Sequence, residues 1–527
     1  MDKTPYFITT AIYYANGNLH IGHCYEIVLA DAMARYKRLR GFDVQFLSGM
    51  DEHGQKVERT AAELGVSPQE FVDGIDAQTQ ALFRDTLSVD YDMFIRTTDE
   101  KHKAAVKKIF NKLYEKGDIY LNEYEGPYCV PCESFYTDTQ LVDGKCPDCE
   151  RDVEIVKESA YFFRLSAYDD RLLAHMEANP DFIVPHFRRD EMINNFIKPG
   201  LEDLCVSRTS FKWGVPVEFD PEHVVYVWVD ALTNYINALD YLADDKQEMY
   251  KKYWPADVQL VGKDIVRFHT IIWPALLMAL GEPLPKSVYG HGFFNITGKK
   301  MGKSFGNGAD PEMLVGRYGV DAVRYYVLRE ITFGQDANFS NEGLIVRINT
   351  DLANDLGNLL SRTVGMVEKY FGGTLPVAQA ATEFDDELIG IAKAAGKKVE
   401  EHFDKMQFSD GLNEIWNIVR RANKYIDEVA PWQLFKEINE GNNAEALAGC
   451  LYVLAECLRI VAVLIEPVMP NTPAAIFAQL GITDDAVKTW DSAAQFGLLA
   501  REVAVCKGDV VFPRIDVKKE LEELAGE

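Results

Sequence analysis

The chain has 527 residues, of which 47% are hydrophobic, and a formal net charge of -27. This composition is that of an ordinary globular protein with about three to five structural units. The acidic balance disfavours anionic membrane surfaces and argues mildly against a nucleic-acid binder, although it does not exclude a local basic patch. Nine cysteines without a secretory signal predict mostly reduced thiols in a cytosol.

The first fifty residues predict a strand, a helix and a second strand. The β-rich run YFITTAIYY ends at a turn at Gly17, and IGHCYEIVLADAMARYKRLRG then has helical period up to Gly41. The next strand and loop are FDVQFLSGMDEHG. Because a strand, a crossover helix and a strand make a βαβ unit, this order predicts a parallel sheet.

The rest of the chain changes character twice. Residues 116–221 are rich in turns and aromatics and carry a cysteine cluster, which indicates an insertion. Helix–strand alternation then returns, and from about residue 346 the pattern is helical, which predicts an α-bundle. The apolar run LAGCLYVLAECLRIVAVLIEP contains Glu456 and Arg459, so we expect a buried bundle helix rather than a membrane span.

The segment ANGNLHIGH, residues 15–23, lies at the first strand–helix junction, where ligands bind in doubly wound sheets. His20 and His23 would share a helix face, and Gly22 would let a flat ring approach the backbone. A helix N-terminus favours an anion, and two imidazoles could stabilise the charge that develops during attack at phosphorus. The alternative is an ordinary helix start with hydrogen-bonded histidines.

The segment NITGKKMGKSFGN has three glycines, and Lys300 and Lys303 lie on either side of Gly302. A mobile loop of this kind could hold the β- and γ-phosphates of a triphosphate. The alternative is an exposed basic loop, but a loop of this pattern about 280 residues after an HxGH segment is an unusual coincidence.

This pair of segments resembles the HxGH and KMSKS signatures of class I aminoacyl-tRNA synthetases, with Gly302 where the consensus has serine. AIYYANGNLHIGH, GMDEHGQK, YVWVDALTNYI, VGKDIVRFHTIIWPALL and GHGFFNITGKKMGKS are similar to the methionyl members in particular, and NLLSR and APW extend the resemblance into the bundle. The implied fold is α/β: a Rossmann-type parallel-sheet catalytic domain with a zinc-knuckle insertion, followed by an all-α anticodon-binding bundle. The expected divisions are a Rossmann first half (1–115), the insertion (116–221), a Rossmann second half (222–292), a KMSKS-loop and stem-contact region (293–345) and a helical anticodon-binding domain (346–527).

The resemblance implies activation of L-methionine with ATP and Mg²⁺ to methionyl-adenylate, followed by transfer to the 3′ end of tRNA(Met), both initiator and elongator. His20, His23, Lys300 and Lys303 are the expected catalytic residues. Gly22 and Ser304 join them in the expected ATP site. Two alternatives stay open, namely another small class I synthetase such as the cysteinyl enzyme, and a non-catalytic, synthetase-like RNA-binding protein.

The residues expected to bind methionine suit its two ends. Asp51 follows a strand and could balance the ammonium group, while Tyr235 and His269 could donate to the thioether sulfur, a weak acceptor. The aromatic members also fit plain core packing. The full expected set is Ile12, Tyr14, Asp51, Trp228, Ala231, Tyr235, Ile265, Phe268 and His269.

The insertion contains two CxxC pairs separated by thirteen residues, at Cys129, Cys132, Cys146 and Cys149. Two such pairs predict a tetrahedral zinc site, against the alternative of redox dithiols. Since four thiolates leave no open coordination position, we expect the zinc to be structural.

The helical region carries the expected RNA contacts. Asn358 and Arg362 are four residues apart on one predicted helix, and Trp432 follows the proline that ends another. Such side chains can read base edges and stack on an unpaired base, and the resemblance assigns them to the anticodon. The resemblance also implies a monomer, since the chain stops where some members continue into a dimerising domain, and we expect a cytoplasmic location without a membrane partner.

Overall fold

The structure, a computed structural model, describes residues 3–15, 17, 19–131, 134–136, 141–147, 149–243, 246–296, 299–300, 309–377, 379–438 and 443–526. Three expected site residues, Cys132, Lys303 and Ser304, lie outside the described residues, and of Lys300 only the backbone is described. The chain divides into two compact units. The first comprises Met1–Leu19, Asp43–Asp85 and Val89–Gly292, and the second comprises His20–Phe42, Thr86–Ser88 and Phe293–Glu527.

The regular elements follow the chain in this order. The strands are β1 (Pro5–Thr10), β2 (Tyr13–Tyr14), β3 (Asp43–Asp51), β4 (Met93–Arg96), β5 (Ile119–Cys129), β6 (Ser134–Phe135), β7 (Glu154–Phe163), β8 (Ile183–Val184), β9 (Leu204–Cys205), β10 (Ser207–Arg208), β11 (Pro216–Val217), β12 (Asp220–Val225), β13 (Val258–Gly262), β14 (Val288–His291), β15 (Phe294–Ile296), β16 (Lys299–Lys300) and β17 (Ala337–Asn338). The helices are α1 (Ile21–Leu39), α2 (Gln55–Leu64), α3 (Pro68–Ala81), α4 (Glu100–Glu115), α5 (Asp169–Ala178), α6 (His186–Met192), α7 (Val227–Asn237), α8 (Glu248–Tyr253), α9 (Trp273–Leu280), α10 (Pro311–Tyr318), α11 (Val320–Glu330), α12 (Asn341–Arg347), α13 (Asn358–Phe371), α14 (Asp385–Phe403), α15 (Phe408–Val429), α16 (Pro431–Ile438), α17 (Ala444–Ile465), α18 (Thr472–Gln479) and α19 (Val517–Gly526). Widened π-helical turns occur at Leu82–Thr86, Ile193–Ile197, Phe268–Ile272 and Ile348–Gly357.

The first unit is built on a parallel sheet. Its strand order is β2-β3-β1-β13-β14-β8, and β4 also pairs with β3. Strands β1 and β13 are almost entirely buried, as expected for a parallel sheet with both faces covered. The parallel sheet, together with the limits of β1 and β3 near the start of the chain, confirms the Rossmann-type fold class that the sequence predicted.

The insertion contains more regular structure than its sequence suggested. Strands β5 and β7 are 11 and 10 residues long and form a continuous antiparallel pair from Ile119↔Phe163 to Tyr128↔Glu154. Gly126 and Pro127 lie inside β5, and because these residues usually interrupt strands, the local sequence does not indicate so long a strand. The pair is the centre of a four-stranded sheet, with β6 and β9 on its outer sides.

The second unit is dominated by helices α13 to α18, which confirms the predicted bundle. Helix α15 ends at Val429 and Ala430 adopts a left-handed conformation, which confirms the helix end predicted at Pro431, and a further helix, α16, begins at Pro431. Within the described residues one helix, α17, is long and apolar enough to cross a membrane, but its apolar stretch is entirely buried inside the protein. Glu456 and Arg459 form an ion pair within α17, with nitrogen–oxygen distances of 2.8 and 3.1 Å.

Helix α1 is anchored in the second unit by a buried ion pair. Asp31 of α1 accepts from Arg324 of α11 at 2.6 Å, and neither side chain is exposed. Arg324 also donates to the backbone oxygens of Leu87, Pro467 and Val468. Because a buried charge is stable only when paired and hydrogen-bonded, this contact fixes the helix that begins at the HIGH segment.

Candidate active site

The HIGH segment forms the start of α1 and satisfies that helix end with its own imidazoles. The Gly22 N–H donates to His20 Nδ1 at 3.1 Å, and the His20 N–H donates to His23 Nδ1 at 3.2 Å. This is a capping box, a reciprocal arrangement that usually uses serine or threonine with glutamate. The two rings lie 3.9 Å apart between centroids. The sequence prediction of a helix start with both histidines on one face is therefore confirmed.

The capping contacts define where each imidazole carries its hydrogen. A backbone N–H can only donate, so both Nδ1 atoms accept. In the neutral ring the hydrogen is then on Nε2 of His20 and on Nε2 of His23. Both side chains are thus hydrogen-bond donors at a helix N-terminus, where the backbone dipole favours an anion.

Gly22 is required by the position of the His20 ring. A Cβ atom built on Gly22 would lie 3.0 Å from both Cε1 and Nδ1 of His20. Real Cβ contacts are seldom that short, so a side chain here would require the His20 ring to shift by a few tenths of an ångström.

Both described ends of the KMGKS loop belong to the same unit as α1. Before the loop, β15 pairs antiparallel with β16, bringing Asn295 opposite Lys300. After it, the Ala309 oxygen accepts from the Ile21 N–H at 3.1 Å. Lys303 and Ser304 lie between these points, outside the described residues. The ends of the loop are thus fixed beside the first turn of α1.

In the first unit, Tyr14 and Asp51 are neighbours at the ends of two parallel strands. Tyr14 of β2 pairs in register with Asp51 of β3, and the Ala15 N–H donates to the backbone carbonyl oxygen of Asp51 at 2.9 Å. Ile12 precedes β2 and packs against the core of this unit. The expected ammonium-binding carboxylate therefore lies at the carboxyl edge of the sheet, where α/β proteins bind ligands.

Helix α7 and the π-helical turn before α9 bring the expected side-chain pocket together. The rings of Trp228 and Phe268 stack with centroids 3.7 Å apart and an interplanar angle of 9°. Ala231 is buried on α7, and Ile265 packs against the same core as Trp228. The widened turn at Phe268–Ile272 carries two of the expected residues, in keeping with the frequent occurrence of such turns at functional sites.

Tyr235 and His269 are hydrogen-bonded to each other inside this cluster. The Tyr235 hydroxyl lies 2.6 Å from His269 Nε2, and His269 Nδ1 lies 2.9 Å from the Ile265 carbonyl oxygen. Because a carbonyl only accepts, Nδ1 donates and Nε2 accepts from the hydroxyl. Burial lowers the pKa of His269 to about 4, so the ring is neutral at pH 7. Both donors are used internally in this arrangement, and donation to a sulfur atom requires the Tyr235 hydroxyl to rotate.

The depressed pKa of His269 predicts a pH dependence of stability. Between pH 6.5 and about 4 the unfolded chain binds a proton that the folded chain does not, so the unfolding free energy rises with pH. From pH 5 to pH 7 this group contributes about 2 kcal/mol. We expect His269→Gln to reduce the difference between urea unfolding free energies at these two pH values. An unchanged difference would show that His269 is protonated as easily in the fold as in water.

A buried network next to these residues was not identified from the sequence. Asp230 of α7 accepts from His53 Nδ1 at 2.6 Å and from His102 Nε2 at 2.8 Å, and all three side chains are buried. Its members lie in three separate segments of the chain. The sequence contains only two partial signals of this network. One is the charged segment DEHG at the end of a strand, and the other is an aspartate inside an apolar helix.

Three cysteines of the insertion converge. The Sγ atoms of Cys129, Cys146 and Cys149 lie within 4.8 Å of one another, and those of Cys129 and Cys149 are 3.5 Å apart. Four sulfurs bound tetrahedrally to Zn²⁺ at about 2.3 Å would be about 3.8 Å apart. Cys132 lies outside the described residues. The described sulfurs therefore fit three corners of the predicted zinc site.

The expected RNA-binding residues lie at one region of the bundle. Arg362 of α13 donates to Asp427 near the end of α15 at 3.2 Å, and α13 contacts α16 through the stacked rings of Tyr370 and Phe435. Asn358 is exposed on α13. Trp432 on α16 has 40% of its surface exposed, which is unusual for tryptophan and leaves its ring available for stacking.

The local basic run on α15 is neutralised within the bundle. Arg421 forms ion pairs with Glu387 at 2.7 Å and Glu428 at 2.9 Å. Arg420 faces Asp355 at 3.5 Å, and Lys424 faces Glu428 at 3.1 Å. Each of these cations faces a carboxylate of the bundle, which favours a structural role for the run over binding to RNA phosphates.

Comparisons with known proteins agree with this geometry. The family model "tRNA synthetases class I (M)" matches residues 6–154 and 149–364, and "Anticodon binding domain of methionyl tRNA ligase" matches residues 375–525. A methionine–tRNA ligase of Caldanaerobacter subterraneus subsp. tengcongensis is 61% identical, over 99% of this chain and 81% of that protein. The corresponding ligase of Bacillus subtilis is 52% identical, over 100% of this chain and 80% of that protein.

Solved structures give the same result. Mycobacterium tuberculosis methionyl-tRNA synthetase in complex with methionyl-adenylate has a TM-score of 0.92 and 44% identity, covering 97% of this chain and 100% of that one. Its apo form has a TM-score of 0.85 and 41% identity, covering 98% and 99%. The sheet, the paired signatures and the helical domain thus define a class I aminoacyl-tRNA synthetase. Within that class, the chain belongs to the methionyl-tRNA synthetases, which are methionine–tRNA ligases.

Proposed function

We propose that the chain activates L-methionine with ATP, as its Mg²⁺ complex, and then esterifies the 3′ end of tRNA(Met) with the methionyl group. In the first step a carboxylate oxygen of methionine attacks the α-phosphorus of ATP. The bond from that phosphorus to the bridging oxygen of pyrophosphate breaks, giving methionyl-adenylate and pyrophosphate. In the second step a ribose hydroxyl of the terminal adenosine attacks the activated carbonyl, and AMP leaves.

The roles of the residues follow from their chemistry. The Nε2–H groups of His20 and His23 donate to the α-phosphate as its charge increases, and Lys300 and Lys303 balance the leaving pyrophosphate, with Gly22 and Ser304 completing the ATP site. Asp51 binds the ammonium group of methionine. The apolar part of methionine occupies the pocket of Ile12, Tyr14, Trp228, Ala231, Tyr235, Ile265, Phe268 and His269.

The observation that carries this proposal is the use of both Nδ1 atoms by the α1 backbone. That arrangement leaves the Nε2 hydrogens of His20 and His23 as the donors, without requiring a protonated imidazole. The capping contacts are also what an ordinary helix start would show, and the two loop ends fixed beside the same helix turn are what favour phosphate chemistry.

The test is ATP–pyrophosphate exchange measured with each amino acid in turn. We expect exchange with methionine and little with cysteine, in agreement with the methionyl family and against the cysteinyl alternative that the sequence motifs alone left open. A protein that binds tRNA but catalyses exchange with none of the amino acids would instead be the non-catalytic, synthetase-like RNA-binding protein.

We also propose that Cys129, Cys132, Cys146 and Cys149 bind one structural Zn²⁺ per chain. When bound, the ion cross-links two turns of the insertion and offers no position to substrate. Cys146→Ser should lower the zinc content measured by elemental analysis from about one per chain to well below one, because a hydroxyl replaces a thiolate ligand. Cys205→Ser, at a buried cysteine of the same unit outside the cluster, is the control. Equal zinc contents in the two variants would contradict the proposal.

The anticodon of tRNA(Met), initiator and elongator, is the proposed partner of Asn358, Arg362 and Trp432. The exposure of Trp432 and the closeness of α13 and α16 support this assignment. A monomeric state and a cytoplasmic location complete the proposal. Light scattering of the purified chain tests the first, and cell fractionation tests the second.

A further inference from the structure

Asp230 is a carboxylate held from two sides inside the first unit. It is 1% exposed and receives hydrogen bonds from His53 and His102. Burial alone would raise the pKa of Asp230, but the facing His53 and the hydrogen bond from His102 lower it to about 2. The side chain is therefore ionised at pH 7, and its hydrogen bonds to both histidines are charge-assisted.

The two histidines connect Asp230 to different parts of the unit. His102 belongs to α4, and its Nδ1 accepts from the Asn237 amide at 3.2 Å. The same amide donates to Thr233, whose hydroxyl donates to the Asp230 carbonyl. This side of the network therefore joins α4 to α7. His53, in contrast, lies two residues after Asp51.

Three hydrogen bonds of Glu52 hold the segment that carries Asp51 to parts of the unit other than α7. The Glu52 N–H donates to the Thr97 hydroxyl at 2.9 Å, and Arg96 donates to the Glu52 carboxylate at 2.8 Å. The indole of Trp213 donates to the Glu52 carbonyl at 2.6 Å. None of these three contacts reaches α7, whereas the hydrogen bond from His53 to Asp230 does.

The position of Asp230 on α7 also allows it to fix the orientation of that helix about its axis. Residues of an α-helix are about 100° apart, so Asp230 points roughly 100° to 160° away from the Trp228–Ala231–Tyr235 face. A charge held on that side limits rotation of the helix about its axis. It therefore determines where the opposite face, which carries the proposed thioether pocket, is directed.

We propose that His53 is a positioning residue that, through Asp230, sets the distance between the ammonium-binding carboxylate of Asp51 and the side-chain pocket on α7. This inference rests on the proposed function of these two sites. The distance determines which length of amino-acid side chain spans from one site to the other. His53 therefore contributes to selectivity for methionine without touching the substrate.

The test compares substitutions of His53 in methionine-dependent exchange. His53→Leu removes the donor while keeping an apolar group, and His53→Asn restores an N–H at nearly the same place as Nδ1. We expect His53→Leu to raise the KM for methionine about tenfold, with kcat and the KM for ATP within about threefold of the parent. Its preference for methionine over ethionine, which is one methylene longer, should fall about tenfold. His53→Asn should recover most of both effects.

The matched control is His223, another buried histidine of the first unit, whose Nδ1 lies 3.0 Å from the Ser207 hydroxyl. His223→Leu should lower stability but keep the KM and the ethionine preference of the parent. Unchanged values in His53→Leu, or an equal change in His223→Leu, would overturn the inference. If His53→Leu does not fold, Asp230→Asn gives the readout and should shift both quantities in the same direction by a smaller factor. A parent protein without methionine-dependent exchange would refute the proposed function itself, which is a different result.

Discussion

Replacing His20 by alanine should lower the rate of methionine-dependent ATP–pyrophosphate exchange by about a hundredfold to a thousandfold. The loss corresponds to one missing donor to the charge that develops in the transition state, about 2.7–4 kcal/mol. Because His20 is assigned to the α-phosphate of ATP and not to the ammonium or thioether group of methionine, the dissociation constant of methionine should change little. Exchange kinetics and equilibrium binding of methionine, measured on the same preparations, check both parts.

His20→Asn separates catalysis from helix capping. Asparagine is a good N-cap residue, so it keeps the acceptor for the first turn of α1, whereas alanine also loses about 1 kcal/mol of cap stability. Asparagine does not reproduce a donor at the position of Nε2. We therefore expect it to fold as well as the parent and still to be slow. A fast His20→Asn variant would show that His20 acts only as a cap, and equal losses of methionine binding and rate in His20→Ala would reject the catalytic assignment.

Replacing Asp51 by asparagine should raise the KM for methionine at least about 30-fold. Removing one partner of a buried, hydrogen-bonded charge pair costs about 2–5 kcal/mol, and the ammonium of methionine would lose its counter-charge. The KM for ATP should stay within a fewfold of the parent value. Initial rates of exchange over a range of methionine and ATP concentrations measure both constants.

A ligand without the amino group makes the second prediction specific. We expect 4-(methylthio)butanoate, which lacks the ammonium, to inhibit the parent and Asp51→Asn with similar constants. The coupling between the Asp51 carboxylate and the ligand ammonium is then isolated as in a double-mutant cycle. If the variant loses affinity for this ligand as strongly as for methionine, Asp51 supports the pocket structurally and does not bind the ammonium.

The sequence predicted the parts of the fold that depend on local patterns. The limits of α1 followed from helical period and a terminal glycine, and the boundary between α15 and α16 followed from Pro431. The pair β5–β7 was missed because Gly126 and Pro127 are tolerated there by long-range pairing with β7, and no local pattern records that pairing. Local sequence patterns therefore do not predict structure where pairing with residues distant in the chain determines it.

The same distinction applies to the site. Motif spacing and resemblance identified His20, Asp51 and Tyr235, but neither could indicate that the imidazoles cap α1 through Nδ1. Nor could they indicate that Tyr235 donates to His269 while His269 donates to the Ile265 carbonyl, because this depends on rotamers inside a packed core. The partners of Asp230 lie 177 and 128 residues away in the chain, at His53 and His102, so only the folded structure brings them together.

The apolar helix α17 has a consequence for synthesis of the chain. When α17 leaves the ribosome, it is as apolar as a membrane-spanning helix. While it is exposed, it can aggregate or be bound by factors that target proteins to membranes. Four of its packing partners, α13 to α16, precede it in the chain and have already been made when it emerges, whereas α18 and the turn at Trp490–Ala494 follow it. At about 5–20 residues per second, the 22 residues of α17 need only seconds to be made and can then dock on helices already present. The order of the helices therefore shortens the time for which this long apolar helix is exposed before it is packed.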